Sequence, residues 1–544
     1  MRILRVNILR ADTCGGLLDG FSETFHAVQS TRPTSFEPLC LIGPNGSGKS
    51  QFLQILAEIF QAILAHCVPS EERLDGNPDL LFEIEYLIWP SGEDSPVRVF
   101  ASRTDNLGSL RWVLRHRLEG TENWIDCDPT STATQPLLPW RIVGYTSGNN
   151  ETLSLPFLQS RSAYAKEVTE RALSRETSRN AVPETRLMLI DYGTHLEVLV
   201  ANLVLGSPEL RKALLEDARV RDLHSFRCII QLNHSAAPKV EIAKTAGARK
   251  GVQLTEELEF YIERLRQCST CFDHNPKTET YTFDFWLNDA TRAAFAHHWP
   301  DGVFALYSSL HKLAMLNDLA LPNRVRKRLR SPQRIRRFAS RLPEPHDEDK
   351  VFRFERVNFT TAKDSRVDYV SLSDGEHQLI QILGTVAMLA HANVLLLLDE
   401  PESHFNPKWR VQFLSRLNDL PNSANHNGGA RDGLRMQDLM LTTHAPFVPS
   451  DMPRERVLIF RKEDGDVKIR RPQLETFGST FDSILEECFG VSPPISQISR
   501  DRIDALLESK DPQEVREGLD QLGHSVEKSY LADHLRSLLR SDGD

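Results

Sequence analysis

The segment Gly43-Pro-Asn-Gly-Ser-Gly-Lys-Ser50 is the most informative part of this sequence. It matches the pattern G-x-x-x-x-G-K-[S/T] and stands between an apolar run at 38–42 and a helical pattern at 49–66, the context that this motif requires. Glycines let successive backbone N–H groups wrap around phosphates, and the following helix turns its N-terminus toward the anion. We therefore interpret residues 43–50 as a phosphate-binding loop within an α/β unit.

The residues of this loop have separable expected roles. Lys49 is expected to reach the β- and γ-phosphates of ATP, and Ser50 to ligate Mg²⁺. A glycine-rich turn that ends in Lys-Ser by chance is the alternative, but the strand and helix on either side argue against it. The remaining residues assigned to nucleotide binding are Asn45, Gly46, Ser47 and Gly48.

A second apolar run ends in two carboxylates. Residues 394–398 read Val-Leu-Leu-Leu-Leu, and Asp399 and Glu400 follow. A buried parallel strand here would carry Asp399 to the phosphate-binding loop, where it would hold Mg²⁺, and would place Glu400 as a general base for an attacking water. A strand that ends in solvated acids is common by itself. Together with the loop, it predicts a site of ATP hydrolysis.

A third motif resembles the signature of ABC ATPases, LSGGQ. Residues 372–376 read Leu-Ser-Asp-Gly-Glu, with Asp374 in place of the first glycine and Glu376 in place of the glutamine. The resemblance implies that Ser373 and Gly375 contact the γ-phosphate bound by a second subunit. It also implies a homodimer or a larger oligomer, because such a composite site needs two heads.

His444 follows the next predicted strand, where ABC ATPases carry a switch histidine. The resemblance gives it a catalytic role at the γ-phosphate, and a purely structural histidine is the alternative. Residues 402–407 lie where the family has its D-loop. Gln159 is the nearest candidate for the glutamine of the Q-loop.

The fold class predicted from these motifs is α/β: a split, ABC-type P-loop ATPase head with an inserted, mainly helical lobe and a helical C-terminal tail. Short strands at 83–90 and 97–103 predict an antiparallel patch beside the main sheet, and residues 187–205 have helical spacing. The predicted domains are an N-terminal ATPase half, an inserted lobe, a C-terminal ATPase half and a tail that docks partners, at residues 1–155, 156–345, 346–490 and 491–544.

A basic segment near the end of the predicted lobe is a candidate nucleic-acid surface. On a chain of net charge −10, such a concentration of arginine would attract a phosphate backbone. A solvated surface helix or an interface for an acidic protein is the alternative. The cations are Arg324, Arg326, Lys327, Arg328, Arg330, Arg334, Arg336, Arg337 and Arg341.

Composition limits the class of protein. The eight cysteines are scattered, which is typical of a reducing cytoplasm, and Cys268, Cys271 and His274 are expected to be ordinary side chains rather than zinc ligands. The N-terminus has no signal-peptide pattern, and no apolar run has the length of a membrane span. We therefore expect a cytoplasmic protein without a membrane partner.

Taken together, the motifs resemble the overcoming-lysogenisation and RecF-like branch of ABC ATPases, and within it the PtuA-type ATPases of Septu anti-phage systems, including their retron-associated form. The resemblance implies partners: a separate HNH nuclease of PtuB type and, in retron systems, a reverse transcriptase with its RNA-linked single-stranded DNA. Two alternatives stay open. One is a RecF-like DNA-repair ATPase, and the other is a structural ATP-binding scaffold with little turnover.

Overall fold

The computed structural model describes residues 1–12, 15–26, 36–91, 95–118, 121–147, 151–174, 180–191, 193–233, 251–330, 345–421, 437–463, 465–492 and 494–541. Its strands form three sheets. In chain order they are β1 (Arg2–Arg10), β2 (Phe21–Thr24), β3 (Leu39–Ile42), β4 (Leu81–Ile88), β5 (Val97–Asn106), β6 (Ser109–Leu118), β7 (Ile125–Asp126), β8 (Arg141–Thr146), β9 (Leu187–Ile190), β10 (Val220–Gln231), β11 (Cys271–Asn275), β12 (Thr280–Trp286), β13 (Phe352–Thr361), β14 (Arg366–Asp368), β15 (Val394–Asp399), β16 (Asp438–Thr443), β17 (Val457–Glu463) and β18 (Asp466–Arg470).

The α-helices cover and connect these sheets. They are α1 (Lys49–Cys67), α2 (Glu151–Leu173), α3 (His195–Leu205), α4 (Pro208–Leu215), α5 (Glu256–Cys268), α6 (Asp289–His298), α7 (Val303–Met315), α8 (Asn323–Leu329), α9 (Asp374–Met388), α10 (Pro407–Asn418), α11 (Phe447–Ser450), α12 (Phe481–Phe489), α13 (Gln497–Glu508), α14 (Pro512–Gln521) and α15 (Val526–Ser541). Within the described ranges, no helix is both long enough and apolar enough to cross a bilayer.

The central sheet has seven strands in the order β18-β17-β3-β16-β15-β8-β9. Six of them run parallel, and β18 pairs antiparallel with β17 at one edge. β3, from the N-terminal part of the chain, lies between β16 and β17, from the C-terminal part. The predicted fold class, an α/β P-loop ATPase head of ABC type split between two distant parts of the chain, is therefore confirmed.

Both faces of the central sheet are buried, which explains why its strands read as continuous apolar runs. Along β15, Leu395 and Leu397 pack into one core with α1, while Leu396 and Leu398 pack into the other core with α3 and α9. Helix α1, which follows the phosphate-binding loop, thus packs against one face of the sheet. The N-terminus of α1 is thereby fixed at the carboxyl edge of the parallel strands.

Two antiparallel sheets flank this unit. One has the order β2-β1-β4-β5-β6-β7 and contains the predicted antiparallel patch, which is confirmed. The other has the order β11-β12-β10-β13-β14 and joins strands from the predicted lobe to strands that follow it.

The segment predicted as an inserted helical lobe contains strands as well as helices. The prediction of a helix across 187–205 is wrong at its start, because β9 (Leu187–Ile190) forms the edge of the central sheet and only His195–Leu205 is helical. All four β9 residues are buried. A run this short and this apolar has no distinctive period, so its spacing also fits a buried helix.

The last three helices form a small bundle of their own. α13, α14 and α15 contact one another, and their core consists of Ile503, Leu506, Val515 and Leu531. Gly518 lets two of these helices approach closely, since a Cβ at this position would lie 2.4 Å from Leu506 Cδ1. The predicted helical tail is therefore a packed unit with its own core.

Candidate nucleotide site

The backbone of the phosphate-binding loop favours glycine at Gly43, Gly46 and Gly48, which all have positive φ. Gly43 has φ of 148°, and a Cβ there would lie 2.2 Å from the carbonyl oxygen of Phe460 on β17. Gly48, directly before α1, has φ of 97°, a left-handed conformation that other residues rarely adopt. Glycine at these positions therefore lets the loop bend tightly between β3 and α1. Asn45 and Gly46 lie exposed at its tip, and Ser47 is buried.

Lys49 is held over this loop. Its side chain is only 4% exposed, and Nζ donates to the carbonyl oxygens of Gly43 at 2.8 Å and Pro44 at 3.0 Å. Burial lowers the pKa of Lys49 to about 8, although the nearby carboxylates of Glu400 and Asp399 act in the opposite direction. A largely desolvated ammonium bonded to carbonyls gains strongly from an anion, which is the property that a phosphate site needs.

Ser50 and Asp399 meet directly at the carboxyl edge of the sheet. Ser50 Oγ donates to Asp399 Oδ1 at 2.8 Å, and Thr442 Oγ1 donates to the same oxygen at 2.6 Å. Asp399 and Thr442 are register partners on β15 and β16. A buried carboxylate that converges with hydroxyl oxygens is a donor set of the kind Mg²⁺ prefers, so Ser50 and Asp399 fit the metal that ATP would bring.

Glu400 and His444 form the next layer of the site. Glu400 N–H donates to Thr442 Oγ1 at 2.9 Å, with φ of 48°, and this turns its side chain out of the β15 register. His444 Nε2 lies 2.8 Å from Glu400 Oε1. Chiefly because of this hydrogen bond, the pKa of Glu400 is lowered. Glu400 is therefore an ionised carboxylate, partly exposed and oriented by a histidine.

Sequence reasoning missed a second carboxylate behind this pair. Glu402 is 3% exposed, and its Oε1 accepts a hydrogen bond from Thr443 Oγ1. Thr443 Oγ1 in turn accepts from Ala445 N–H at 2.9 Å, which fixes the backbone around His444. Burial raises the pKa of Glu402 to about 7. The sequence shows three carboxylates in Asp-Glu-Pro-Glu, but it does not reveal that Glu402, like Asp399, is buried.

The signature-like residues Ser373 and Gly375 lie at the N-terminal end of α9. Ser373 is the exposed N-cap of this helix, and Gly375 is buried against the loop that follows Glu402, where a Cβ would lie 2.7 Å from the His404 carbonyl oxygen. Within the described residues, no hydrogen bond joins Ser373 to the phosphate-binding loop of its own chain. One copy of the chain therefore brings together Lys49, Ser50, Asp399, Glu400 and His444, but not Ser373.

The basic segment is only partly described. Arg324, Lys327 and Arg328 are exposed on α8, whereas Arg326 is 7% exposed and lies beside Asp318, so it is packed inside rather than presented to a nucleic acid. Arg330 follows α8 and donates to the Arg326 carbonyl oxygen at 3.2 Å. The other predicted cations lie outside the described residues: Arg334, Arg336, Arg337 and Arg341.

The weaker candidates are dispersed. Gln159 is buried on α2. Cys268 is buried at the end of α5, Cys271 is exposed on β11, and His274 stacks on Tyr281 with ring centroids 4.2 Å apart. In the part of the chain that the structure describes, no three His, Cys, Asp or Glu side chains are grouped as they would be around a metal ion.

Comparison with known proteins places part of the chain in context. Residues 272–449 match the family model described as "AAA domain, putative AbiEii toxin, Type IV TA system". This match contains the signature-like segment, Asp399, Glu400 and His444, but not the phosphate-binding loop.

Two curated relatives are similar over short stretches. "Protein ea59" of Escherichia phage lambda is 32% identical over 95 residues, which are 18% of this chain and 16% of that protein. "Retron Vc95 probable ATPase" of Vibrio cholerae serotype O1 biovar El Tor is 25% identical over 145 residues, which are 24% of this chain and 26% of that protein. The chain thus spans about a quarter or less of the length of these relatives.

Two solved structures align along most of the chain with low scores. The Smc head domain with a coiled coil and joint derived from Pyrococcus yayanosii is 11% identical, with 87% of this chain and 97% of that chain covered and a TM-score of 0.27. UvrA2 from Deinococcus radiodurans is 14% identical, with 85% and 55% covered and a TM-score of 0.25. The assignment of the fold rests instead on strand order and on the loop between β3 and α1.

Proposed function

We propose that this chain binds and hydrolyses Mg-ATP at a site completed by a second copy of itself, and that it regulates a separate nuclease of an anti-phage defence complex. One observation carries the ATPase proposal. Ser50, Asp399 and Thr442 converge within 2.6 to 2.8 Å, beside a Glu400 that His444 holds at 2.8 Å. This arrangement has the parts that phosphoryl transfer to water requires.

Each residue has a defined role in this proposal. Lys49 and the backbone N–H groups of residues 46–50 hold the phosphates, and Ser50 and Asp399 hold Mg²⁺. When bound, this metal would neutralise part of the phosphate charge. Glu400 accepts a proton from the attacking water, and His444 orients the carboxylate that does so. Thr442 fixes both acids, because its hydroxyl donates to Asp399 and accepts from Glu400 N–H.

The second copy would supply Ser373 and Gly375. The support is geometric: Ser373 is exposed at the N-terminus of α9, a position suited to an anion, and it does not reach the loop of its own chain. A site that is incomplete in one copy and a matching exposed element elsewhere on the same chain favour a symmetric dimer.

The proposed defence role rests on similarity to other proteins. It is a more specific proposal than ATP hydrolysis, which the geometry of the site supports. The similarity to a retron ATPase and to a family described by a toxin–antitoxin system supports a complex in which nucleotide state controls a toxic partner. The partners that we propose are an HNH nuclease of PtuB type, a retron reverse transcriptase and its RNA-linked single-stranded DNA. The exposed cations of α8 are the proposed contact for nucleic acid, and the bundle α13–α15 is the proposed docking unit for protein.

Glu400→Gln tests the chemistry. This substitution removes the base but keeps the shape, so we expect hydrolysis to fall by 10²- to 10⁴-fold while ATP binding and pairing persist. Lys49→Ala is the matched control, which should lose ATP binding itself. Hydrolysis at the wild-type rate by Glu400→Gln would show that Glu400 is not the base.

The partner proposal needs a separate experiment. The chain is expressed with its neighbouring genes and purified through a tag, and the proteins and nucleic acids that copurify are identified. A nuclease or a reverse transcriptase with branched RNA–DNA supports the defence complex. A clean homodimer bound to nothing else would contradict it and favour a stand-alone ATPase.

A further inference from the structure

The signature-like segment is bonded to itself through Glu376. Ser373 N–H donates to Glu376 Oε2 at 2.7 Å, and Ser373 Oγ donates to the same oxygen at 2.8 Å. Glu376 N–H completes the pair with a 3.4 Å bond to Ser373 Oγ. This reciprocal arrangement is a capping box. Both groups of Ser373 that would donate to an incoming phosphate are therefore already bonded to a carboxylate.

The backbone of this segment has little room to adjust. A Cβ at Gly375 would lie 2.7 Å from the His404 carbonyl oxygen and 3.2 Å from the ring of Trp409. One turn further along α9, Gln378 accepts from His404 N–H at 3.0 Å and donates to Ser403 Oγ at 3.2 Å. The helix start is thus anchored to the loop that follows the β15 carboxylates. The freedom to release Ser373 lies in the Glu376 side chain.

Charge acts in the same direction as the hydrogen bonds. Asp374 and Glu376 both stand in the first turn of α9, where the helix dipole stabilises carboxylates, and Asp374 is exposed. A phosphate within hydrogen-bonding distance of Ser373 would meet the Glu376 carboxylate at a similar range. Repulsion between these like charges increases as two copies approach and exclude water from the contact.

We infer that Glu376 competes with the phosphate for Ser373 and so sets the ATP concentration at which two copies pair. The inference rests on the proposed function, since it assumes that Ser373 contacts a nucleotide held by the second copy. Pairing requires the Glu376 side chain to rotate away from Ser373 as the phosphate takes over its two donors. The chain therefore favours the unpaired state until ATP is abundant.

The test compares two substitutions in the full-length chain that also carries Glu400→Gln, which prevents turnover. Glu376→Gln removes the charge and keeps a capping residue, because glutamine also forms this box. Asp374→Asn is the matched control: it removes a charge from the same helical turn, and the hydrogen bonds of Ser373 go to Glu376 rather than to the Asp374 side chain. The measurement is the ATP concentration for half-maximal pairing, by light scattering with Mg²⁺ present.

We expect Glu376→Gln to lower this concentration about tenfold, as loss of one charged competitor would, and Asp374→Asn to lower it less than about threefold. An unchanged or raised ATP requirement for Glu376→Gln, with pairing intact, overturns the inference. Equal shifts for both variants also overturn it, because net charge rather than the Ser373 contact would then control pairing. If the Glu400→Gln parent binds ATP but never pairs, the two-copy site itself is wrong, and the inference falls with it.

Discussion

At the scale of single residues, Glu402 gives the clearest link between burial and pH. The side chain is 3% exposed, and burial raises its pKa from 4.5 to about 7. Between these values the unfolded chain ionises Glu402 while the folded chain keeps it protonated. The free energy of unfolding therefore falls as the pH rises from about 4.5 to about 7, by about 3 kcal/mol in total, and the loss is complete above about pH 7.

Glu402→Gln should remove this contribution. Glutamine resembles the neutral acid and keeps an acceptor for Thr443, so we expect the variant to exceed the wild-type protein in stability by about 1 kcal/mol at pH 5 and by about 3 kcal/mol at pH 8. Chemical denaturation at pH 5, 6, 7 and 8 measures the difference between the two proteins. Glu508→Gln, which removes a carboxylate at an exposed position on α13, is the control. A pH-independent difference for Glu402→Gln would mean that the carboxyl does not titrate in this range.

At the same scale, the sequence predicts residues whose chemistry is tied to a motif and misses those whose role depends on packing. Sequence motifs predict the roles of Lys49, Ser50, Asp399 and Glu400, and the resemblance to ABC ATPases implies that of His444. The fold brings all five to one edge of the sheet. Glu402 lies two positions from Glu400 in the same acidic run. Its burial depends on strands from distant parts of the chain, which no local pattern records.

At the scale of elements, length and context decided which predictions held. The apolar run that became β15 was recognisable because two carboxylates ended it, and α1 because the loop preceded it. β9 is not followed by a pair of carboxylates and is not preceded by a glycine-rich loop, and its sequence pattern predicts a helix instead. β10 pairs with β12 and with β13, across sequence separations that a local pattern does not cover.

The tail bundle offers a prediction at this scale. Gly518→Val would place side-chain atoms where a Cβ alone already lies 2.4 Å from Leu506, so we expect a loss of about 1–3 kcal/mol, enough to unfold a bundle with so small a core. Gly523→Val is the matched control, because a Cβ at Gly523 has no heavy atom within 4 Å. Limited proteolysis should cut the tail of the first variant only, with ATP binding unchanged in both. Resistance of both variants would show that α14 can shift to accept the larger side chain.

At the scale of the whole molecule, the two-copy site predicts that two inactive variants rescue each other. Lys49→Ala inactivates the loop of one copy, and Ser373→Arg inactivates the signature-like end of the other. In a mixed dimer, one site combines both lesions, while the other combines an intact loop with an intact Ser373. An equal mixture that exchanges freely should therefore recover about a quarter of the wild-type ATPase activity, since half of the dimers are mixed and each has one working site of two.

The control for this experiment mixes two variants whose lesions lie on the same side of the site. Lys49→Ala and Asp399→Asn both affect the part of the site that one chain builds by itself, because the Ser50–Asp399 contact is internal to that chain. No mixed dimer of these two variants has a complete site, so this mixture should stay as inactive as its components. Recovery in the first mixture and not in the second is the outcome that only a shared site produces. If both mixtures stay inactive while the proteins exchange subunits, each chain hydrolyses ATP without the Ser373 of its partner, and the exposed end of α9 serves another purpose.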